Sequence, residues 1–208
     1  MTAFALPPVI VAYDAHWVEV DLRGDVAQWA RRAAAEVLTR SGGPARGADA
    51  RQLAKLFAAA GVIARRAQDA TISLLLYPGP EFGVQAIARF CPVDLSGQDG
   101  DGAWAGLESI AVVDLPGQEP PEITELDTAA GPCRRVRQLV ADGDQPERPV
   151  SEHLAYLWLF PDYGAGVILV TAFSDLVRAG RWRPVLDDLA TTGVTLRQPG
   201  EYRAGTER

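Results

Sequence analysis

The fold is decided by the stretch HLAYLWLFPDYGAGVILVTAF, residues 153–173. From residue 154 to residue 160 the side chains are apolar at both even and odd positions, and three of them are aromatic. Successive side chains of a strand point to opposite faces, and a strand that is apolar on both faces is covered on both sides. Residues 161–166 contain a proline and two glycines, which are typical of a turn. We therefore predict a β-hairpin over residues 154–173, at the centre of a sheet and buried on both faces.

The same stretch is also about as long as a membrane span. Its middle, however, contains Pro161, Asp162, Gly164 and Gly166. A membrane-spanning helix would place these residues at the bilayer centre, where a carboxylate is costly. Two strands joined by a turn explain the stretch better, so we expect no membrane insertion.

A strand followed by two helices is predicted before residue 70. Residues 17–22 alternate apolar and polar side chains, the pattern of a half-buried strand. Asp25 is placed to cap a helix over residues 25–39, and a second helix is expected over residues 49–69. Gly61 lies within this second helix, where glycine costs about 1 kcal/mol relative to alanine, so we expect it to permit close helix packing. We predict that the two helices form an N-terminal helical pair.

Strand patterns dominate the middle of the chain. Strands are expected at residues 71–77, 83–93, 123–129 and 133–140. Residues 96–102 have the composition of a loop, and residues 107–115 fit either a strand or a short helix. Ser174 or Asp175 is expected to cap the last helical region, in which Pro184 fits best at the first turn of a fresh helix.

These elements predict an α+β fold, with a largely antiparallel β-sheet flanked by helices. The chain has 208 residues, which is enough to bury a core without stabilising disulfides. We expect one domain over residues 1–196. A polar and frayed tail is expected at residues 197–208.

Charge and composition limit the classes of molecule that the protein is expected to bind and the cellular location that is expected for it. The net charge of −7 disfavours nucleic acid, because a protein that binds it needs a clustered basic surface. No basic segment precedes Arg23, so no secretory signal is visible and a cytoplasmic protein is expected. Lys55 is the only lysine against nineteen arginines, a bias that indicates a high-GC bacterial genome.

Few residues are available for catalysis or for binding a cofactor. The chain has two histidines, His16 and His153, which excludes a site made of several histidines, and it has no phosphate-binding glycine loop. Cys91 and Cys133 are widely separated, and the sequence leaves their redox state open. The adjacent carboxylates of residues 187 and 188 diverge by about 100° on a helix, which favours a solvated face. We therefore expect no metal and no other cofactor.

The later part of the chain resembles a known family. Residues 154–160, the turn at residues 161–166, residues 167–174 and the helix through residues 186–190 resemble the end of Mog1/PsbP-like domains. The resemblance covers about the last two thirds of the chain and implies an α/β/α sandwich with an antiparallel sheet. It also implies binding and not catalysis, because members of this group act as GTPase-binding adaptors, photosystem accessory subunits and chaperones for secreted effectors.

Three functional hypotheses remain open at this point. The first is a non-enzymatic protein-interaction module, meaning an adaptor, an effector chaperone or an assembly subunit. Its candidate contact residues are Trp104, placed in a mobile loop over residues 99–106, and Phe82, because aromatic residues in polar loops are typical of binding sites. The second is a small-molecule or lipid-binding domain with its pocket between the sheet and the helices. The third is an enzyme with an unfamiliar site that uses His153 or Cys91.

Overall fold

A computed structural model describes residues 7–67, 69–114, 119–141 and 149–196. The strands are β1 (Val9–Val11), β2 (Trp17–Glu19), β3 (Ile72–Leu76), β4 (Ala86–Asp94), β5 (Glu122–Thr128), β6 (Gly131–Ala141), β7 (Val150–Phe160), β8 (Ala165–Phe173) and β9 (Val194–Leu196). The helices are α1 (Val26–Arg40), α2 (Ala48–Ala64), α3 (Gly100–Ala111) and α4 (Leu176–Asp188), and α4 runs into a π-helical turn, Leu189–Gly193.

Seven of the strands form one antiparallel sheet in the order β2-β3-β4-β8-β7-β6-β5. The short strands β1 and β9 pair with each other in a separate ribbon. The described part of the chain is thus α+β with a largely antiparallel sheet, as the sequence predicts, and it contains four α-helices. Within the described residues, no helix combines the length and the apolar character that crossing a bilayer requires.

One face of the sheet packs against α4, and we call it the α4 face. Alternate side chains of the central strands, such as Leu154, Tyr156 and Trp158 of β7, point to this face and are fully or almost fully buried. Trp182 and Leu186 of α4 lie over them in the same apolar cluster. The α4 face holds the largest cluster of buried apolar residues among those described.

The opposite face carries α1, α2 and α3, and we call it the three-helix face. Helices α1 and α2 pack on each other and on β2 and β3, where Val18 and Leu75 belong to their apolar cluster. Helix α3 packs on β7 and β8 through Leu107. Leu107 and Leu157 belong to an apolar cluster that is separate from the cluster under α1 and α2. The helices on this face therefore form two groups over different strands of the sheet.

The β7–β8 hairpin forms as predicted and lies at the sheet centre. Its register runs from Glu152 opposite Phe173 to Phe160 opposite Ala165, and β8 is the middle strand of the seven. Both faces of the hairpin are covered over most of its length. The prediction that the hairpin is buried on both faces is wrong at the end of β8, where Ala172 is exposed on the three-helix face.

Three local predictions are wrong. Residues 99–106 are not a loop, because α3 begins at Gly100, and residues 107–111 continue this helix. The second helix ends at Ala64 and not near residue 69. Pro184 does not start a fresh helix but lies inside α4, where its ring nitrogen cannot bond the carbonyl of Gly180.

Other local predictions are confirmed. The carboxylate of Asp25 accepts the backbone N–H of Gln28 at 2.6 Å and caps α1. Asp175 caps α4 in the same way through the N–H groups of Val177 and Arg178. A single domain over residues 1–196 stays a prediction, and the predicted tail at residues 197–208 lies outside the described residues.

Candidate functional site

Trp104, the first predicted contact residue, lies on α3 and is half-buried. The guanidinium of Arg134 on β6 lies 4.5 Å from the centre of the Trp104 ring, and it also bonds the Glu108 carboxylate at 2.7 Å. A cation held over an indole face is attracted by the ring quadrupole. Trp104 thus joins α3 to the sheet, and a role for it in partner binding stays a prediction.

Phe82, the second predicted contact residue, follows β3 and packs on α4. Its ring centre lies 5.3 Å from that of Trp182 in an edge-to-face arrangement. The guanidinium of Arg181 lies over the Phe82 ring at 4.3 Å. These contacts hold the β3–β4 connection against α4. The structure therefore places Trp104 and Phe82 on opposite faces of the sheet, and it does not bring them together into one site.

The residues of the enzyme hypothesis, Cys91 on β4 and His153 on β7, lie on two strands that β8 separates. His153 on β7 has its Nε2 atom 3.1 Å from the Ser151 hydroxyl, two residues earlier on the same face of the strand. Nucleophilic catalysis also needs a group that orients the base and donors for the developing oxyanion. His16 is exposed and contacts the Asp14 carboxylate at 2.9 Å, far along the chain from His153.

Both cysteines are free thiols on opposite faces of the sheet. Cys133 is buried on the α4 face opposite Trp158, and burial raises the pKa of its thiol to about 12. Cys91 is partly buried on the three-helix face opposite Ile168, and burial also raises its pKa. Because the sheet separates them, the two thiols cannot form a disulfide within the chain. A raised pKa leaves a thiol protonated and poorly nucleophilic.

Two partly buried ionic clusters were not foreseen from the sequence. The first is centred on Glu152, whose side chain is 2% exposed and lies between two arginines on the α4 face. Arg183 of α4 binds both carboxylate oxygens at 2.8 Å, and Arg137 of β6 approaches the same oxygens at 3.2 and 3.5 Å. The alternation of β7 could have indicated this burial, because position 152 has the same parity as its buried aromatic residues.

The second cluster corrects the prediction that residues 187 and 188 form a solvated face. Asp187 accepts hydrogen bonds from the Tyr156 hydroxyl at 2.7 Å and from Arg135 at 3.0 and 3.2 Å. Burial raises the pKa of Tyr156, and the neighbouring Asp187 carboxylate raises it further. Of these two adjacent carboxylates, only that of Asp188 is exposed. Both clusters join α4 to the sheet, so they are best explained by packing.

A groove runs along the outer side of the α1–α2 pair and has a volume of about 640 Å³. Its lining consists of Ala27, Arg31, Ala45, Arg46, Gly47, Ala50, Arg51, Ala54, Lys55 and Ala58. All uncharged members of this set are alanine or glycine, and all charged members are cations. We call this surface the cationic groove.

The cations of the groove have no partner of opposite charge in the part of the chain that the structure describes. Among the described residues, none of Arg31, Arg46, Arg51 and Lys55 forms a salt bridge or a side-chain hydrogen bond. Six other arginines do form ion pairs with carboxylates. A concentration of four unpaired positive charges on a chain of net charge −7 favours a ligand of negative charge.

Both edges of the sheet are poorly suited to strand addition. Strand β2 has three residues, and the indole Nε1 of Trp29 already donates to the outward carbonyl of Glu19 at 2.9 Å. Strand β5 is longer but carries the exposed carboxylates of Glu122, Glu125 and Asp127. Short edges and charged edge residues discourage pairing with another strand. The cationic groove is therefore the stronger candidate for a docking surface.

Comparison with known proteins finds no matching family model, no matching curated protein and no matching solved structure.

Proposed function

We propose that this chain is a non-enzymatic protein-interaction module whose cationic groove binds an acidic amphipathic helix of a partner protein. The observation that carries the proposal is the set of four unpaired cations around an alanine-lined groove. An adaptor, an effector chaperone or an assembly subunit would use such a surface. The predicted contact residues Trp104 and Phe82 remain candidates for secondary contacts.

The shape of the groove supports a helix as the occupant. The groove side of α2 presents Ala50, Ala54 and Ala58 at four-residue intervals, which places them in one row along the helix. Small side chains allow two helix axes to approach at the close end of the usual 8–10 Å range. Amphipathic helices commonly dock their apolar face into such grooves.

The charges support an acidic partner. Arg51 and Lys55 are also four residues apart, so they flank the alanine row on one side, while Arg31 of α1 lies on the other. Glutamate side chains at the margins of a docked helix would reach both flanks. Because exposed ion pairs are screened by salt, the affinity should fall as ionic strength rises.

We further propose an α/β/α sandwich of the Mog1/PsbP-like kind in a cytoplasmic bacterial protein without a nucleic-acid partner. The support is the resemblance of residues 154–190, the presence of helices on both faces of the sheet, the arginine bias and the negative net charge. An adaptor role fits that group.

The experiment uses a fluorescent amphipathic model helix of leucine and glutamate and a matched helix of leucine and lysine. We expect the intact protein to bind the glutamate helix and not the lysine helix. The double variant Arg51→Glu, Lys55→Glu should lose at least tenfold in affinity, because it reverses the charge of one flank. As a matched control, Arg66→Glu changes an exposed arginine that does not line the groove. This variant should bind the glutamate helix as tightly as the parent protein does.

A photo-crosslinker tests the proposal in the native host. Placed at Ala54 in the groove, it should capture a protein through an acid-rich segment, whereas at the exposed Ala105 of α3 it should not. Equal binding of both model helices would contradict the proposal. Capture of lipid instead of protein at Ala54 would favour the small-molecule hypothesis for this groove.

A further inference from the structure

The three-helix face is open over the two central strands of the sheet. Along β4, the side chains that point to the α4 face are buried at Ala88 and Phe90, whereas those that point to the three-helix face, Arg89 and Cys91, are only partly buried. Along β8 the same opening shows at Ala172, which is exposed. An antiparallel sheet can leave part of one face uncovered. We call this opening between α2 and α3 the central trough.

Two polar groups at the trough have no partner. Ser73 of β3 lies directly opposite Arg89 of β4, so the two side chains are neighbours on the three-helix face. Ser73 has no exposed surface, and its Oγ atom and the Nε atom of Arg89 both lack a hydrogen-bond partner among the described residues. A buried polar group without a partner is destabilising, and a charged one is more so. These groups therefore favour a ligand that accepts hydrogen bonds.

Arg89 also lacks a counter-ion. Of the salt bridges among the described residues, none involves Arg89. Its other cross-strand neighbour is Val170 of β8, which offers no acceptor from its side chain. A partly buried guanidinium that has donors free matches the planar geometry of a carboxylate.

The surroundings of Arg89 combine apolar and polar side chains. His153 lies opposite Ala172, and the Asp69 carboxylate acts on the neighbouring Cys91 thiol. Val170 and Ala172 of β8 lie beside it on the trough floor. Leu56 and Ile63 of α2 are seven residues apart and so share one side of the helix, and they are 39% and 47% exposed. The Leu56 Cδ2 atom lies 3.9 Å from the position of a β-carbon at Gly83, just before β4, so this side of α2 is turned toward β4 and not toward α1.

We propose that the central trough is a second binding site, which takes a small organic ligand with one carboxylate and an apolar body. The carboxylate binds Arg89, with Ser73 beside it, and the apolar body lies along Val170 and Ala172 against Leu56 and Ile63. A single arginine distinguishes this site from the cationic groove, which has four cations. Most small-molecule sites share this composition, an apolar lining with a few placed polar groups.

The experiment measures calorimetric binding of decanoate to the full chain, with decanol and inorganic phosphate as comparison ligands. We expect decanoate to bind, decanol to bind at least tenfold more weakly and phosphate not to bind. Arg89→Gln should weaken decanoate binding about tenfold or more, since it removes a charge-assisted hydrogen bond. The double variant Arg51→Glu, Lys55→Glu should leave decanoate binding unchanged, so that this site fails or succeeds independently of the groove.

Two further measurements keep the test decisive if Arg89→Gln folds poorly. Ala172→Leu fills the trough from an exposed position, so it should block decanoate without loss of fold. Cys91 lies two residues from Arg89 on the same face, so bound decanoate should slow its alkylation at alkaline pH, where more of the thiol is ionised, and Cys91→Ser should remove the labelling at this position. Equal binding of decanoate and decanol, unchanged binding by Ala172→Leu, or binding of phosphate alone would each overturn the proposal.

Discussion

The indole ring of Trp29 lies in the space that a side chain at Gly61 would occupy. A β-carbon at Gly61 would be 2.7 Å from the Cζ3 atom of Trp29, closer than real β-carbons approach any atom. Trp29 cannot move away easily, because it is buried and its Nε1 atom donates to the Glu19 carbonyl at 2.9 Å. This contact explains why glycine lies in the last turn of α2.

The contact predicts opposite effects for two glycine-to-alanine changes in helices. Gly61→Ala should lower the free energy of unfolding by about 1–2 kcal/mol, because overpacking outweighs the gain in helix propensity. Gly180→Ala in α4 should raise it by about 0.5–1 kcal/mol, because nothing lies within 4 Å of the added carbon. Urea unfolding of both variants tests the pair, and a stabilising Gly61→Ala would show that α1 and α2 do not pack as described.

Leu157 tests the burial of the hairpin on both faces. It has no exposed surface on the three-helix face and packs under α3. Leu157→Asp should lower the free energy of unfolding by several kcal/mol, because it leaves a buried charge without a partner. The control is Ala172→Asp on the same face of the same hairpin, which is exposed and should change stability little. Thermal melts that coincide for both variants and the parent would contradict the assignment.

Glu152 should make stability depend on pH at the acid end. Burial alone would raise the pKa of Glu152, but the hydrogen bonds and charges of Arg183 and Arg137 outweigh it and hold the pKa below its usual range. A carboxyl group whose pKa is lowered by folding stabilises fully above its unfolded pKa of about 4.3 and loses this contribution as the pH falls through the folded value.

Glu152→Gln removes this titration and leaves two arginines without their shared carboxylate. We expect the variant to be less stable than the parent by about 3 kcal/mol at pH 7. The difference between the two proteins should begin to shrink below the unfolded pKa of about 4.3, because the unfolded parent then binds a proton that the folded parent binds only at a lower pH. Denaturant unfolding of both proteins between pH 7 and pH 3 measures this difference in stability. A difference that is constant over this range would exclude a lowered pKa at Glu152.

Trp104→Ala separates anchoring from partner contact. Because Arg134 stacks on the ring and also binds Glu108, the change should lower the free energy of unfolding by about 1–2 kcal/mol. Trp104→Phe keeps an aromatic face for Arg134 and should lower the free energy of unfolding by less than Trp104→Ala does. If Trp104→Ala instead melts as the parent does and partner capture is lost, Trp104 is a contact residue, as the sequence suggested.

Much of the strand architecture was predictable because it depends on local pattern. The two-sided apolar run at residues 154–160 and the turn after it placed the hairpin in the sheet centre. Asp25 and Asp175 predicted helix starts because their side chains bond backbone N–H groups two or three residues away. The start of α3 was missed, because the glycines at positions 100, 102 and 106 are typical of a loop. In the structure, Leu107 packs this helix onto β7 and β8.

The sequence by itself determined most of the strands and two helix starts, because periodicity and capping act over a few residues. Only the tertiary structure decided which distant groups meet and which have no partner. Glu152 obtains its two arginines from β6 and α4, while Arg89 and the four cations of the groove find no carboxylate among the residues that the structure describes. The physical reason is that the energy of a charge depends on its burial and on neighbours brought together by folding, which residue order does not specify.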